Sequence, residues 1–366
     1  MHGQTLKDRK VAVTASPVRA SRSSRPVLLL LEKVLLLGDA ILRVPAYRAL
    51  RNAFPKHRIV GLSPHQSAFK SVLSQVSHLF MDDWQVDPAI LGGRKQQREF
   101  ARAFGPVDIV LDFRANPRSL ASFAAFAPVA RRYAANGVGF FLRKGIPLGL
   151  EARPPYHAAR FHRLAELIAG RRLPYDFTLP HLPEAEAQAS RLLPKSQRYF
   201  GIAGGPDTKA KTWPRDRQIV VADKMKSLGL RPVILLGVEE SDQREWYAQN
   251  IPDALVVDLK SAKGDPAYLF WLLQSVAGRL TGCVASENGL GHLVATRGIP
   301  LLTLAGPTNP IVWRPVTPLW WLLRAQDYGM DAVWAIPPSA INETITQMVN
   351  WADRDEAVRR DKKSKR

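Results

Sequence analysis

The densest chemistry lies between residues 285 and 310. Ala285-Ser-Glu-Asn-Gly-Leu-Gly-His292 leads into Leu-Val-Ala-Thr-Arg-Gly298, then Ile-Pro-Leu-Leu-Thr-Leu304, then Ala-Gly-Pro-Thr-Asn-Pro310. The run reads as strand, glycine loop, helix, strand and glycine-proline loop. Gly289 and Gly291 let backbone N–H groups approach a ligand, and the helix that follows turns its positive end to the same place. A diphosphate suits such a loop. An ordinary βαβ turn has the same outline, so glycine spacing alone does not decide. Asp39, directly after Gly38, has two readings. A carboxylate there can take the proton of a hydroxyl nucleophile, or it can cap a helix starting at Ala40. Lys33 ends an apolar strand, an unusual place for a lysine without a task.

These residues need strand ends to hold them. Val27–Leu31 reads as a short buried strand. Ala40 to Phe54 has helical spacing, with Ile41, Val44, Ala49 and Leu50 on one side, Arg43, Arg48 and Arg51 as the polar positions, and Pro55 as a stop. Further strands are expected at Arg58–Leu62 and Val107–Phe113. Residues 171–196 are rich in proline and polar side chains and read as a linker. The pattern then restarts. Strands are expected at Tyr199–Ala203, Arg231–Leu236, Ala254–Leu259, Leu280–Ser286 and Pro300–Leu304, and helices at Arg217–Leu228, Tyr268–Ala277 and Gly289–Thr296. Alternating strands and helices predict an α/β chain of two Rossmann-like, doubly wound domains facing across a cleft. The expected division is a basic tail over 1–25, an N-terminal domain over 26–175, a linker over 176–196, a C-terminal domain over 197–352 and a second basic tail over 353–366.

The chain has 366 residues, 46% of them hydrophobic, enough for two packed cores. The single cysteine, Cys283, excludes an internal disulfide and sits in an apolar run, where an inert thiol is expected. The formal charge of +20 is unevenly spread. Residues 1–25 and residues 359–366 each hold six Lys/Arg against one Asp, +5 apiece, leaving about +10 for the body. Such ends suit an anionic membrane surface or an acidic glycolipid, and equally suit a solubilising tail. No apolar run is long enough to span a bilayer: Val27 to Leu42 is broken by Glu32, Lys33, Gly38 and Asp39. The basic N-terminus lacks the apolar stretch of a secretory signal. A cytoplasmic protein, peripheral at the inner membrane face, is therefore expected. No Asp-x-Asp pair falls at an expected strand end and the histidines are not at metal-ligand spacing, so no metal and no cofactor are expected.

The run from 285 to 310 resembles the C-terminal signature of glycosyltransferase family 9, the lipopolysaccharide heptosyltransferases. Four more segments match in order. Lys33 with Leu37-Gly-Asp39 and Pro45-Ala-x-x-x-Leu50 resembles the family's N-terminal strand and catalytic loop. Leu111-Asp-Phe-Arg-Ala-Asn116-Pro-Arg-Ser119 resembles its mid-domain strand end, and Lys211-Thr-Trp-Pro214 its Lys-x-Trp-Pro motif. Gly237-Val-Glu239 with Gln243-Arg244 resembles the strand end that follows. Together they span roughly residues 27 to 315.

The resemblance implies a GT-B fold. It implies transfer of a sugar, heptose from ADP-heptose, onto a lipopolysaccharide-core acceptor by inverting displacement without a metal. Asp39 would be the general base. Lys211 would neutralise charge on the departing diphosphate, against the alternative of a solvated lysine beside Lys209. Glu239 would hold ribose hydroxyls, against an exposed charge beside Glu240. Glu287, Asn288, Gly289, Leu290 and His292 would complete the donor site. Lys33, Asn116 and Arg118 would meet the acidic acceptor, with Arg114, Arg131 and Arg132 nearby in sequence. The partners implied are a nucleotide-diphosphate sugar and an acidic glycolipid, and no nucleic acid. Two departures stand out. Val34-Leu35-Leu36 replaces small hydroxylated residues before Gly-Asp, and Glu287 stands where the family has Asp. Rival readings are a nucleotide-sugar epimerase, or an inactive GT-B protein binding glycan or polyanion. The first lacks a convincing extra acid–base set. The second must explain why Asp39, Lys211 and Glu239 are all present.

Overall fold

The computed structural model describes residues 25–33, 36–91, 93–114, 131–135, 141–143, 146–147, 154–205 and 210–364. Backbone contacts divide the chain into two compact units. The first comprises Met1–Val34, Lys56–Gln66 and Asp82–Gly149, and the second Leu35–Pro55, Ser67–Met81 and Leu150–Arg366.

The first unit is built on β1 (Val27–Leu31), whose five residues are all buried. Apolar side chains on both faces suit a central parallel strand. β1 pairs in parallel with β2 (Arg58–Ser63) on one side and β4 (Ile109–Asp112) on the other. β3 (Asp83–Val86) extends the sheet beyond β2, and β5 (Arg131–Ala135) beyond β4. β6 (Phe141–Arg143) and β7 (Ile146–Pro147) then join as antiparallel strands, giving the order β3-β2-β1-β4-β5-β6-β7. Helix α2 (Arg94–Phe104) puts Phe104 into the core beside Val60, Leu62 and Val110. The spatial order reverses between β1 and β4, the doubly wound signature the alternation predicts. Strand β3 escapes that prediction because it is short and polar. Its Trp84 lies flat on Gly61, where an added Cβ would sit 2.3 Å from the indole, and its Nε1 donates to Ser63 Oγ at 2.9 Å.

The second unit carries six parallel strands in the order β10-β9-β8-β11-β12-β13. They are β8 (Arg198–Ala203), β9 (Leu230–Leu235), β10 (Leu255–Val257), β11 (Gly282–Ser286), β12 (Leu301–Ala305) and β13 (Trp320–Arg324). Here the order reverses between β8 and β11, and ligands of such sheets bind where strand C-termini part at that reversal. Its helices are α1 (Leu37–Ala53), α3 (His157–Ala169), α4 (Pro183–Leu192), α5 (Arg215–Ser227), α6 (Arg244–Asn250), α7 (Pro266–Ala277), α8 (Gly289–Ala295) and α9 (Pro338–Ser364). The core beneath the sheet gathers Phe200, Ile202, Trp213, Val221, Tyr247, Val284, Leu302, Ile341 and Met348.

Two local expectations are corrected. Helix α1 begins at Leu37 with Leu36 as N-cap, three residues before the expected start, so Asp39 lies inside the first turn and does not cap it. Arg43, expected on the polar face of α1, is buried at 2% exposure, its guanidinium 3.6 Å over the Phe161 ring. A planar guanidinium can be buried this way because it stacks on an aromatic face. Within the stretch expected to link the halves, α4 is a regular helix with Pro183 in its first turn, where a missing N–H costs nothing. It is tied to α7 by Tyr268 Oη donating to Gln188 Oε1 at 2.8 Å. Helix α9 also runs on through Ser364, across the residues expected as a C-terminal tail. Among the described residues no helix is long and apolar enough to cross a membrane.

Candidate active site

A cavity of about 280 Å³ opens in the second unit. One side is Leu36, Gly38 and Asp39, at the start of α1. Another is Ser286, Glu287, Asn288, Gly289, Gly291 and His292, from the end of β11 into α8, with Lys211 beside them. Thr303, Thr308, Pro310, Trp313 and Pro315 close the rest. The polar walls thus lie at the C-terminal end of β11, at the reversal of strand order.

Lys211 owes its place to its neighbours. Trp213 is buried in the core, and its carbonyl accepts from Gln218 Nε2 at 2.8 Å. The Ala210 carbonyl accepts from Val333 N–H at 3.0 Å. That carbonyl also lies 2.8 Å from where a Cβ on Gly306 would be, so only glycine lets the two loops touch. Pro214 then starts α5. Anchored on both sides, Lys211 is 37% exposed, with its ammonium 3.9 Å from Glu287 Oε2.

Glu287 follows the last residue of β11. Its carboxylate is only 9% exposed, and neither oxygen completes a hydrogen bond of normal geometry. Burial pushes this carboxyl above the usual carboxylate range, opposed by the Thr308 hydroxyl, Lys211 and the N–H groups of Thr308 and Gly306. A buried acceptor of this kind fits ligand hydroxyls and repels phosphate.

The loop around Glu287 is internally braced. Ser286 Oγ donates to the Gly204 carbonyl at 2.6 Å, and Asn288 Nδ2 to the Ala203 carbonyl at 3.2 Å, tying β11 to β8. Asn288 Oδ1 accepts from Gly291 N–H at 2.9 Å and so caps α8. The Asn288 side chain is therefore committed to the loop, leaving its backbone for any ligand. Gly205, at φ +78°, faces this brace, and a Cβ there would be 2.5 Å from Ser286 Oγ.

His292 connects the two motifs. Its Nδ1 is buried without a hydrogen-bond partner, and burial lowers its pKa to about 4, so the imidazole is neutral at neutral pH. Its Cδ2 lies against Gly38: a Cβ there would meet it at 2.8 Å. The glycine before Asp39 thus makes room for the histidine of the other motif. Asp39, in the first turn of a seventeen-residue helix, is an acidic group at that helix's positive end.

The remaining expected residues lie elsewhere. Leu290 is buried in α8 and absent from the cavity wall. Glu239 is exposed past the end of β9, outside that wall, while its neighbour Glu240 is buried with a raised pKa, chiefly from desolvation. Lys33 is exposed beyond β1 in the first unit. Asn116, Arg118 and Val34-Leu35 lie outside the described residues. Arg114 is held by Asp112 at 2.7 Å beyond the C-terminal end of β4. Arg131 pairs with Asp108 at 2.6 Å, at the opposite end of the parallel strands. Arg114 and Arg131 therefore do not form one patch. Cys283 is buried, and burial pushes its thiol up. Among the described residues no three His, Cys, Asp or Glu side chains converge as a metal site. Sequence reading missed Thr303, Thr308, Pro310, Trp313 and Pro315. Of these Thr303, Thr308 and Pro310 belong to the quoted run from 285 to 310, whereas Trp313 and Pro315 lie beyond it.

Two parallel doubly wound sheets, with an acid at a helix start and a lysine–glutamate pair at a strand end, define a GT-B type protein. The sequence pattern of glycosyltransferase family 9 (heptosyltransferase) matches residues 150–332. The chain belongs to that family. A stretch of 113 residues is 29% identical to lipopolysaccharide heptosyltransferase 1 of Pseudomonas aeruginosa; it covers 31% of this chain and 30% of that protein, well under two thirds of its length. The fold is similar to that of a family 9 glycosyltransferase from Veillonella parvula, with TM-score 0.65 at 18% identity over 88% of this chain and 97% of the other. It is also similar to ADP-heptose lipopolysaccharide heptosyltransferase II of E. coli, with TM-score 0.62 at 16% identity over 89% and 99%. E. coli heptosyltransferase WaaC, solved with ADP-2-deoxy-2-fluoro heptose, gives 0.57 at 16% identity over 88% and 99%.

Proposed function

We propose that the chain transfers a sugar, heptose from ADP-heptose, onto an acidic lipopolysaccharide-core acceptor by direct inverting displacement. One observation carries this reading. Asp39, Lys211 and Glu287, from three distant segments, line the same cavity. An acceptor hydroxyl would give its proton to the Asp39 carboxylate as its oxygen bonds to the anomeric carbon. The bond from that carbon to the diphosphate oxygen breaks on the opposite face, and the electron pair leaves with the diphosphate. Lys211 neutralises the growing charge and so helps most in the transition state. Glu287 accepts from sugar hydroxyls, and His292 offers a neutral ring beside them. Lysine takes the electrostatic role a metal has in other transferases, so the reaction is proposed to run without one.

Glu239 would meet the ribose outside the cavity. Lys33, Asn116 and Arg118 would meet acceptor phosphates or acidic sugars. The basic ends would hold the protein at an anionic cytoplasmic membrane surface. Deleting residues 1–25 and 359–366 should then reduce sedimentation with phosphatidylserine vesicles at low salt. Unchanged sedimentation would remove that role.

The test of the central reading is a thermal-protection screen. The panel is ADP-heptose, ADP-glucose, UDP-glucose, UDP-N-acetylglucosamine, GDP-mannose and the parent nucleotides. A ligand of the native state raises the melting temperature as its concentration passes Kd. Protection by ADP-heptose above its parent nucleotide is expected. No protection by any nucleotide would overturn the proposal.

A further inference from the structure

We propose that Trp313 is the platform on which the C–H face of the transferred sugar rests, a subsite that selects a pyranose ring. This rests on the nucleotide-sugar reading of the cavity.

A sugar ring has an apolar face of C–H bonds and a rim of hydroxyls. It is bound well by a flat apolar wall opposite polar groups. The cavity has that division. Pro310, Trp313 and Pro315 contribute one wall, and Asp39, Lys211, Glu287 and His292 contribute polar groups. At about 280 Å³ the cavity lies just below the usual range for ligand pockets, room for part of a nucleotide sugar. The nucleoside must extend out of it. Glu287, a buried carboxylate, favours hydroxyls over phosphate as its neighbour. The sugar is therefore placed inside beside Glu287, with the diphosphate at Lys211.

The loop and ring of Trp313 are braced by their neighbours. Asn309 Oδ1 accepts from Ile311 N–H at 3.0 Å and Val312 N–H at 3.3 Å, and the Asn309 carbonyl accepts from Trp313 N–H at 3.2 Å. The Val312 carbonyl accepts from His157 N–H at 3.0 Å, fastening the loop to the start of α3. The His157 ring lies 4.4 Å from the Trp313 ring and stacks on Phe161 at 5.5 Å and 2°, and the Arg43 guanidinium lies over Phe161. Leu42, Ala158 and Val316 pack alongside. A ring braced by this ladder loses little freedom when a ligand stacks on it.

The experiment compares each nucleotide sugar that protects the wild type with its parent nucleotide, by calorimetric titration. The proteins are the full chain and its Trp313→Phe and Trp313→Leu variants, each first checked for an intact melting transition. Leucine keeps apolar bulk and removes the flat face, so it serves where alanine would leave a hole. Trp313→Leu should weaken nucleotide-sugar binding on the order of tenfold and leave the nucleotide alone unchanged. Trp313→Phe should keep most of the affinity. Equal loss for both ligands, or loss for neither, would overturn the platform while leaving the nucleotide-sugar reading intact. A wild type that binds neither ligand would overturn that reading and the platform with it.

Discussion

Gly38→Ala tests whether the two halves of the site must touch. The added Cβ would lie 2.8 Å from His292 Cδ2, whereas ordinary contact begins at 3.4 Å. To regain ordinary contact the imidazole must retreat by about 0.6 Å. Its Nε2 and Cγ, at 3.5 and 3.6 Å from the same point, already clear the methyl group, so a tilt of the ring is the cheapest relief. Stability should hardly record this. Alanine is favoured over glycine in a helix by up to about 1 kcal/mol, and a local clash costs about 1–3 kcal/mol. The two largely offset. Turnover should record it, because a displacement approaching 1 Å at a reacting centre costs up to about 100-fold. We expect turnover to fall about 10- to 100-fold with a melting temperature within a few degrees of wild type. The assay is transfer to acceptor, measured beside calorimetric donor affinity. Adding Gly38→Ala to His292→Ala should then cost little more, since the clashing ring is gone. Full activity in the single variant would refute the packing argument. So would losses that multiply in the double variant.

Asp39→Asn and Lys211→Ala should fail in different ways. The first should cut turnover about 100-fold or more with donor affinity nearly intact, because the base acts on the acceptor. The second should weaken donor binding and slow turnover together. Identical profiles would undo the division of roles, as seen by pairing steady-state rates with donor titrations. Glu287→Gln should raise the melting temperature at neutral pH while weakening nucleotide-sugar binding. The Glu287 carboxyl is raised in the folded protein, so the folded state binds its proton more tightly than the unfolded state does. Wild-type stability is therefore lost as pH rises from the ordinary glutamate pKa through the raised one. The gap between variant and wild type should close as pH falls through that window, followed by thermal melts across pH. A gap that widens in acid would reverse the assignment.

Strand and helix periodicity made most of the scaffold legible, because a central parallel strand such as Val27–Leu31 has no polar face to disguise it. Strands like Asp83–Val86 were hidden for the opposite reason: short, polar and at a sheet edge, they owe their conformation to a partner and not to their own pattern. Asp39, Lys211 and the Glu287 loop were legible as motifs, and the structure brings them to one cavity. Trp313 was not, since a tryptophan between proline-rich turns has no spacing to mark it, and the His157 ring beside it, stacked on Phe161, comes from far away in the chain.

The Gly38–His292 contact shows most clearly what a linear reading lacks. A glycine is usually valued for the unusual backbone angles that it allows. Gly38 instead lies within α1 and is not among the glycines at positive φ, so alanine could adopt its backbone. What alanine cannot do is share space with the imidazole that follows β11. The Gly-Asp pair and the Gly-x-x-His run thus constrain each other by volume, although they come from opposite ends of the chain. A site assembled this way places Asp39 and the Glu287 loop by direct packing. Its precision then depends on one missing methyl group as much as on any charged residue.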